Sequence, residues 1–296
     1  MIDLNDAIDL HVHTAPDVYR RSVTDHELVR EAAAAGMRAL LLKSQHTLTA
    51  DRGTLARPSG GIEVFGGLAL NQTVGGLNPV AVETAIEFGA RQIWMPTIHA
   101  AHCMQVAEGE MFQAEVRRGR TGIRVVDDAG RLTREALLIV EIVRDAGIIL
   151  GTGHLAPSES LALLAAAADM GCDRLLVTHP NMAFTRFTHE QMRQAAAYGA
   201  TLEFDYLSCS PKWPGAIDPA TTAAAIRAVG ARHCVMATDG GQHYNPHPPQ
   251  MLRDFAAALR DQGIAAGDLR TMMCANPARL LGLGDWLAVN GEAIFG

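Results

Sequence analysis

Two histidines one residue apart, His11 and His13 in "AIDLHVHTAPD", end an apolar run near the start of this 296-residue chain. In an extended strand residues i and i+2 share a face, so both imidazoles should project together, opposite Ile8, Leu10 and Val12. Such a pair can be hydrogen-bonded core groups, two ligands of one metal ion, or two polar groups meeting one substrate. The rest of the chain decides among these. Other apolar runs end in Lys43 with His46 beyond it, in His99 with His102 beyond it, in His154, in His179, and in Asp239. Four imidazoles (His11, His13, His154, His179) and one carboxylate (Asp239), each following an apolar run, make a nitrogen and oxygen set suited to a divalent first-row metal. Zinc is the first choice, as one or two ions, with Mn, Fe or Ni as alternatives. His26, His189, His233 and His247 read as surface or capping side chains.

Positioning these groups needs a regular scaffold, and the chain supplies a repeated unit of short apolar run, polar loop, helical stretch and glycine. The runs are 8–13, 38–43, 63–70, 91–100, 148–156, 174–180, 201–208 and 233–241. Most spacings, about 25 to 32 residues, fit one βα unit each. Thr24-x-x-Glu27 and Thr188-x-x-Gln191 read as capping boxes, Pro157 and Pro219 as helix starts, and Gly36, Gly89, Gly147, Gly171, Gly199, Gly230 and Gly263 as helix stops. Between the fourth and fifth runs, residues 101–147 hold an insertion with "GIRVVDDAG" and a helix. Alternating strand and helix implies a parallel sheet, and eight units close a barrel. No Gly-rich phosphate loop follows the first run, as an open nucleotide-binding sheet would require. The expected fold is α/β, a (β/α)8 TIM barrel forming one domain over residues 1–296, whose C-terminal strand ends gather the polar residues above.

Composition narrows the partners. A formal charge of −7 with no Lys/Arg-rich run argues against nucleic acid and anionic membranes. No apolar run approaches a membrane span and no signal sequence opens the chain. Five scattered cysteines with no C-x-x-C pair fit reduced thiols and a cytoplasmic location. A small-molecule substrate is the expected partner, and self-association into a homo-oligomer is left open.

The ordered set His-x-His, His154, His179 in "VTHP" and Asp239 in "ATDGG", with the late "ANPARLLGL", resembles the metal signature of the amidohydrolase superfamily from residue 8 to residue 283. It is most similar to metal-dependent hydrolases that open with "DLHVH…APDVY". That resemblance implies a metal-dependent hydrolase. Two departures stand out: "PTIHA" puts His99 where many members place a bridging lysine or glutamate, and His11 comes so early that the barrel stands without a flanking β-sandwich.

Roles follow from residue type. Asp239 can take a proton from attacking water and return it to the leaving group, while His179 is a ligand or holds the substrate oxygen. Lys43 is one of only two lysines among 25 basic residues. Desolvated beside a dication it could be a base, a carbamate after taking up CO₂, or an anion anchor. His46, His99, Arg20, Gln242 and Tyr206 are candidate substrate contacts, with Arg21, Arg52, Trp213 and His243 nearby, and residues 46–53 could form a flap. The expected chemistry is hydrolysis by metal-activated water of a small, potentially anionic substrate, amide or cyclic amide first, lactone or phosphoester next. Alternatives are a metal-dependent decarboxylase or hydratase of a small carboxylate on the same barrel, and a catalytically inactive metal- or ligand-binding barrel.

Overall fold

The computed structural model describes residues 2–107, 119 and 121–284. One sheet holds eight parallel strands in chain order: β1 (Ile8–Val12), β2 (Ala39–Leu42), β3 (Glu63–Ala69), β4 (Gln92–Trp94), β5 (Ile149–Gly151), β6 (Leu175–Thr178), β7 (Thr201–Asp205) and β8 (Cys234–Ala237). Each lies inside one of the eight apolar runs, and the architecture is the (β/α)8 barrel. Both capping boxes form, at Thr24 and Thr188, and Gly147 closes its helix in the left-handed region. Between β4 and β5 the described residues form a short helix Ala101–Val106, a loop over 121–133, and the helix Arg134–Ala146. Residues 108–118 and 120 of the expected insertion are outside the described residues. Of the expected flap at 46–53, residues 50–53 instead open a helix, Ala50–Ala56, against β3, where a Cβ on Gly53 would lie 2.9 Å from the Phe65 carbonyl carbon. Among the described residues, no helix is long and apolar enough to cross a membrane.

The seam between β1 and β8 is built differently from the other seven. In place of a ladder there is one bridge, Val12 to Gly240, with His13 N–H donating to Gly240 O at 2.8 Å. Below it the buried Asp9 carboxylate accepts from Thr238 N–H (3.1 Å) and Thr238 Oγ1 (2.6 Å). Burial raises the Asp9 pKa to about 7, against those same hydrogen bonds, which lower it. Gly241 continues the seam at φ 111°, and a Cβ there would stand 1.8 Å from His13 O, so only glycine fits.

Strict alternation along β1 does not hold. Pairing with β2 slips between Asp9 and Val12, and a slip of one residue exchanges the faces of a strand. Ile8 and Leu10 join the inner cluster with Leu41, Trp94, Leu176 and Val235, while Val12 joins the outer one. Above the slip His11 also turns inward, its ring 6.1 Å from Trp94. The helix Asn276–Leu281, which is the "ANPARLLGL" segment, sends Leu280 and Leu281 into the inner cluster and closes the barrel floor. Each such leucine contributes roughly 1.5–3 kcal/mol on burial. Hydrocarbon thus fills the lower barrel, and the polar side chains gather at its top.

Candidate metal centre

His11 Nε2 and His13 Nε2 lie 3.2 and 3.1 Å from the same atom, Asp239 Oδ1. An imidazole N–H can donate to a carboxylate oxygen, but an imidazole lone pair gains from meeting one only when a cation lies between them. Ligands 2.0–2.1 Å from a tetrahedral ion stand about 3.3 Å apart, so this spacing fits three ligands of one divalent cation. Asp239 turns its other oxygen, Oδ2, toward His179 Nε2 at 3.7 Å. The His154 ring lies 5.4 Å from the His179 ring. The five residues predicted as ligands thus lie at one rim, but among them only His11, His13 and Asp239 share one cluster of three ligand atoms, and His154 stands outside it with Nδ1 3.5 Å from Cys103 Sγ. Asp239 and His179 both hold positive φ, 45° and 51°, uncommon for non-glycine residues. Each follows the last residues of a strand, where the turn swings the side chain over the barrel axis.

The opposite edges of two of these rings reach acids that the sequence reading missed. His11 Nδ1 is 2.8 Å from Glu203 Oε1, and His179 Nδ1 is 2.5 Å from Asp205 Oδ2. Both acids lie on β7 two residues apart, fully buried. Four ligand-type atoms from His11, His179, Glu203 and Asp205 lie within 4.8 Å of one another, which raises the question of a second, deeper ion. Distances of 2.5 and 2.8 Å are too short for two ligands of one ion and are ordinary for charge-assisted hydrogen bonds. These acids therefore hold the rings, while the Nε2 edges form the cation-sized gap.

Electrostatics suit ligation. Burial, then the Lys43 charge, hold His11 and His154 well below the usual imidazole range, and burial with Arg21 does so for His13. Burial outweighs the Asp239 charge to take His179 to about 3. Neutral imidazoles offer lone pairs. Burial raises Asp239, Glu203 and Asp205, and Lys43 pulls all three back. Lys43 is itself 1% exposed, its Nζ 2.9 Å from His11 Nε2 and 5.3 Å from the Trp94 ring centre. Burial lowers its pKa against the attraction of Asp239, Glu203 and Asp205. His11 Nε2 has one lone pair, so Lys43 and a metal ion compete for it.

A cavity of about 270 Å³ opens above the centre, and His13, His154 and Asp239 form part of its lining. Of the candidate substrate contacts, Arg20 and Gln242 line it, as do Trp213 and His243. His46, His99 and Tyr206 do not. His99 is buried, with Nδ1 accepting from Gln72 N–H at 3.3 Å, and so ties the loop after β3 to the loop after β4. His46 packs 5.3 Å from the Tyr19 ring and 3.8 Å from Asp17. Gln242 presents a wall and no free amide, because Nε2 donates to Asp239 O and Oε1 accepts from Asn245. Arg21 and Arg52 are occupied by Asp17 and Asp25. Arg20 makes no hydrogen bond or ion pair with the described residues and stands exposed at the cavity edge.

Solved structures share this architecture at low identity. An organophosphorus hydrolase from Deinococcus radiodurans matches with a TM-score of 0.58 at 14% identity, over 93% of this chain and 92% of that one. A protein engineered for organophosphate hydrolysis from a weak promiscuous lactonase gives 0.59 at 15%, over 95% and 97%. A dihydroorotase gives 0.59 at 14%, over 95% and 72%. The resemblance to the amidohydrolase superfamily is thus met at the level of the fold. No curated protein sequence matches the chain. Residues 6–203 match a family model described as a family of unknown function (DUF6282), a span that includes His11, His13, Lys43, His154, His179 and Glu203 and stops short of Asp239. With two-thirds of its length inside that model, the chain belongs to the DUF6282 family.

Proposed function

We propose that the protein is a metal-dependent hydrolase of a small substrate carrying a negatively charged group and an apolar portion. The observation that carries this reading is the convergence of His11 Nε2 and His13 Nε2 on Asp239 Oδ1 at 3.1–3.2 Å, under a cavity at the barrel mouth. A divalent ion held by His11, His13 and Asp239, zinc first among candidates, would supply water of lowered pKa and polarise the bond to be cut. Asp239 would take the proton that the attacking water loses and return it to the leaving group. His179 and His154 lie on the far side of Asp239, where they hold the substrate oxygen or complete a second ion's ligands. Lys43 must release His11 Nε2 for an ion to bind there. Its amine would then be free to hold a proton beside the reacting atoms, or to add CO₂ with loss of one proton and supply a carbamate oxygen to the metal centre.

Substrate character follows from the walls. Met182, Phe184, Leu207 and Trp213 make one side apolar, and Asp239 is the only carboxylate in the lining among the described residues. Arg20 is the unpaired cation at the edge, so an anionic group sits there. A volume of about 270 Å³ is near the lower end for small-molecule sites, which restricts the ligand to a small molecule. Amide or cyclic amide is the first choice of bond, then lactone or phosphoester, and the names of the structural neighbours support that choice by analogy only.

The test is metal content per chain after purification without added metal, for wild type, His11→Ala and Lys43→Ala, alongside a panel of cyclic amides, lactones and phosphoesters and a CO₂ assay. At least one ion per wild-type chain, lost in His11→Ala, is expected. A fall of one ion in Lys43→Ala selects the carbamate, and unchanged occupancy leaves Lys43 as a base or anchor. Wild type that retains no ion in excess zinc defeats the reading.

A further inference from the structure

Glu203 and Asp205 are ionisable side chains at 0% exposure in the middle of a barrel, a placement in which each needs a specific partner. We propose that they are positioning residues, which hold His11 and His179 as the Nδ1–H tautomers and so aim both Nε2 lone pairs at the candidate metal centre. The inference rests on the metal reading for what the Nε2 atoms bind, but the tautomers themselves do not depend on it.

Three observations support it. Residues 203 and 205 sit i, i+2 on β7 and therefore face the axis together, and each takes a different imidazole at hydrogen-bond distance, 2.8 and 2.5 Å. Crossed distances are 4.0 Å for both pairs, so the assignment of acid to ring is one to one. For His11 a second neighbour agrees: Lys43 as an ammonium can only donate, it stands 2.9 Å from Nε2, and Nε2 must therefore be the acceptor and Nδ1 the proton carrier. His179 lacks that second constraint. Its ring is directed to Asp205 by a backbone at φ 51°, whose carbonyl accepts from Thr185 Oγ1. In the other tautomer each ring would turn a proton, not a lone pair, toward Asp239.

Long-range 1H–15N spectra of histidine side chains report the tautomer directly, and competition with a chromophoric chelator reports zinc affinity. In metal-free wild type both His11 and His179 should carry the proton on Nδ1. In Asp205→Asn, His179 should become a tautomer mixture while His11 is unchanged, and zinc affinity should fall by about 10–100-fold. In Glu203→Gln the change should appear at His11 alone, and be smaller because Lys43 still donates to Nε2. A merely structural role would lower stability without this residue-by-residue reciprocity. Nε2–H at His179 in wild type overturns the proposal, and so does Asp205→Asn with an unchanged tautomer and zinc affinity within twofold of wild type. The wild-type spectrum decides even if Asp205→Asn does not fold. Correct tautomers in a protein that retains no zinc would leave the inference standing and remove the metal reading.

Discussion

Replacing Asp239 by asparagine should stabilise the metal-free protein while weakening its response to zinc. Without an ion, Asp239 Oδ1 faces two Nε2 atoms at 3.2 and 3.1 Å, and Oδ2 faces a third at 3.7 Å, with 7% of the residue exposed. A buried carboxylate that meets imidazole lone pairs costs about 1–3 kcal/mol, and His11 and His179, whose Nδ1 atoms turn to Glu203 and Asp205, present theirs to it. An asparagine NH₂ donates into the same space and tolerates φ 45° as readily as aspartate. At about 2 °C per kcal/mol for a chain of this size, the variant should melt roughly 2–6 °C above wild type in chelator. With zinc at a thousandfold excess over Kd, wild type should gain about 4.1 kcal/mol. A hundredfold loss of affinity on losing the charged oxygen would leave the variant about 1.4 kcal/mol of that gain, a third of the wild-type shift. Thermal melts of both proteins in chelator and in zinc make the comparison. A variant that melts below wild type in chelator, or whose zinc shift is undiminished, would refute the idea that these side chains are arranged around a cation.

Gly241→Ala should lose about 3 kcal/mol or more of stability, because the new Cβ would stand 1.8 Å from His13 O at φ 111°; a denaturant midpoint like wild type would show that the β1–β8 seam yields easily. Thr24→Ala removes one half of a capping box and should cost about 1 kcal/mol, read as a thermal shift of roughly 2 °C, with substrate KM unchanged. Burial pushes the Asp17 carboxyl up, but the His46 ring 3.8 Å away and the Arg21 guanidinium together hold it below the usual carboxylate range. A folded pKa below the unfolded one gives stability that is full above about pH 4 and fades as pH falls through the folded value. The stability gap between wild type and Asp17→Asn should therefore be constant from pH 7 to 5 and narrow below pH 4; a gap that widens in acid would contradict that sign.

What could be read from residues alone was whatever depends on local period. Eight apolar runs became eight strands, and Thr24 and Thr188 capped their helices, since both are decided within a few residues. In β2, Ala39 and Leu41 point inward, and Lys43 continues their period into the centre, which the pattern "ALLLK" already contains. Glu203 and Asp205 carried the same i, i+2 signal as His11 and His13 in "TLEFD", but acids in a strand are usually its solvent face, and only the closed barrel puts them inside. The slip in β1 has no signature in "IDLHV", because it follows from pairing with β2 and β8. Arg52 looked free for an anion until the fold brought Asp25 to it from 27 residues away, whereas Arg21 and Asp17 are four apart and could have been paired by inspection. His99 follows its strand as His154 does, yet a neighbouring loop claims its ring.

The seam between the first and last strands gives an ion a mechanical task beyond chemistry. Strand pairing elsewhere runs along the backbone, but here one bridge and the Asp9–Thr238 contact join the two ends of the sheet. His11 and His13 sit on one side of that join and Asp239 on the other, so an ion shared among them would rivet the hoop shut across roughly 230 residues. A cross-link spanning a loop of that length is worth on the order of 5 kcal/mol in chain entropy. Amide exchange in β1 and β8 would then slow with metal more than exchange in β4 or β5, and stripping the ion would unfasten the barrel where its staves first and last meet.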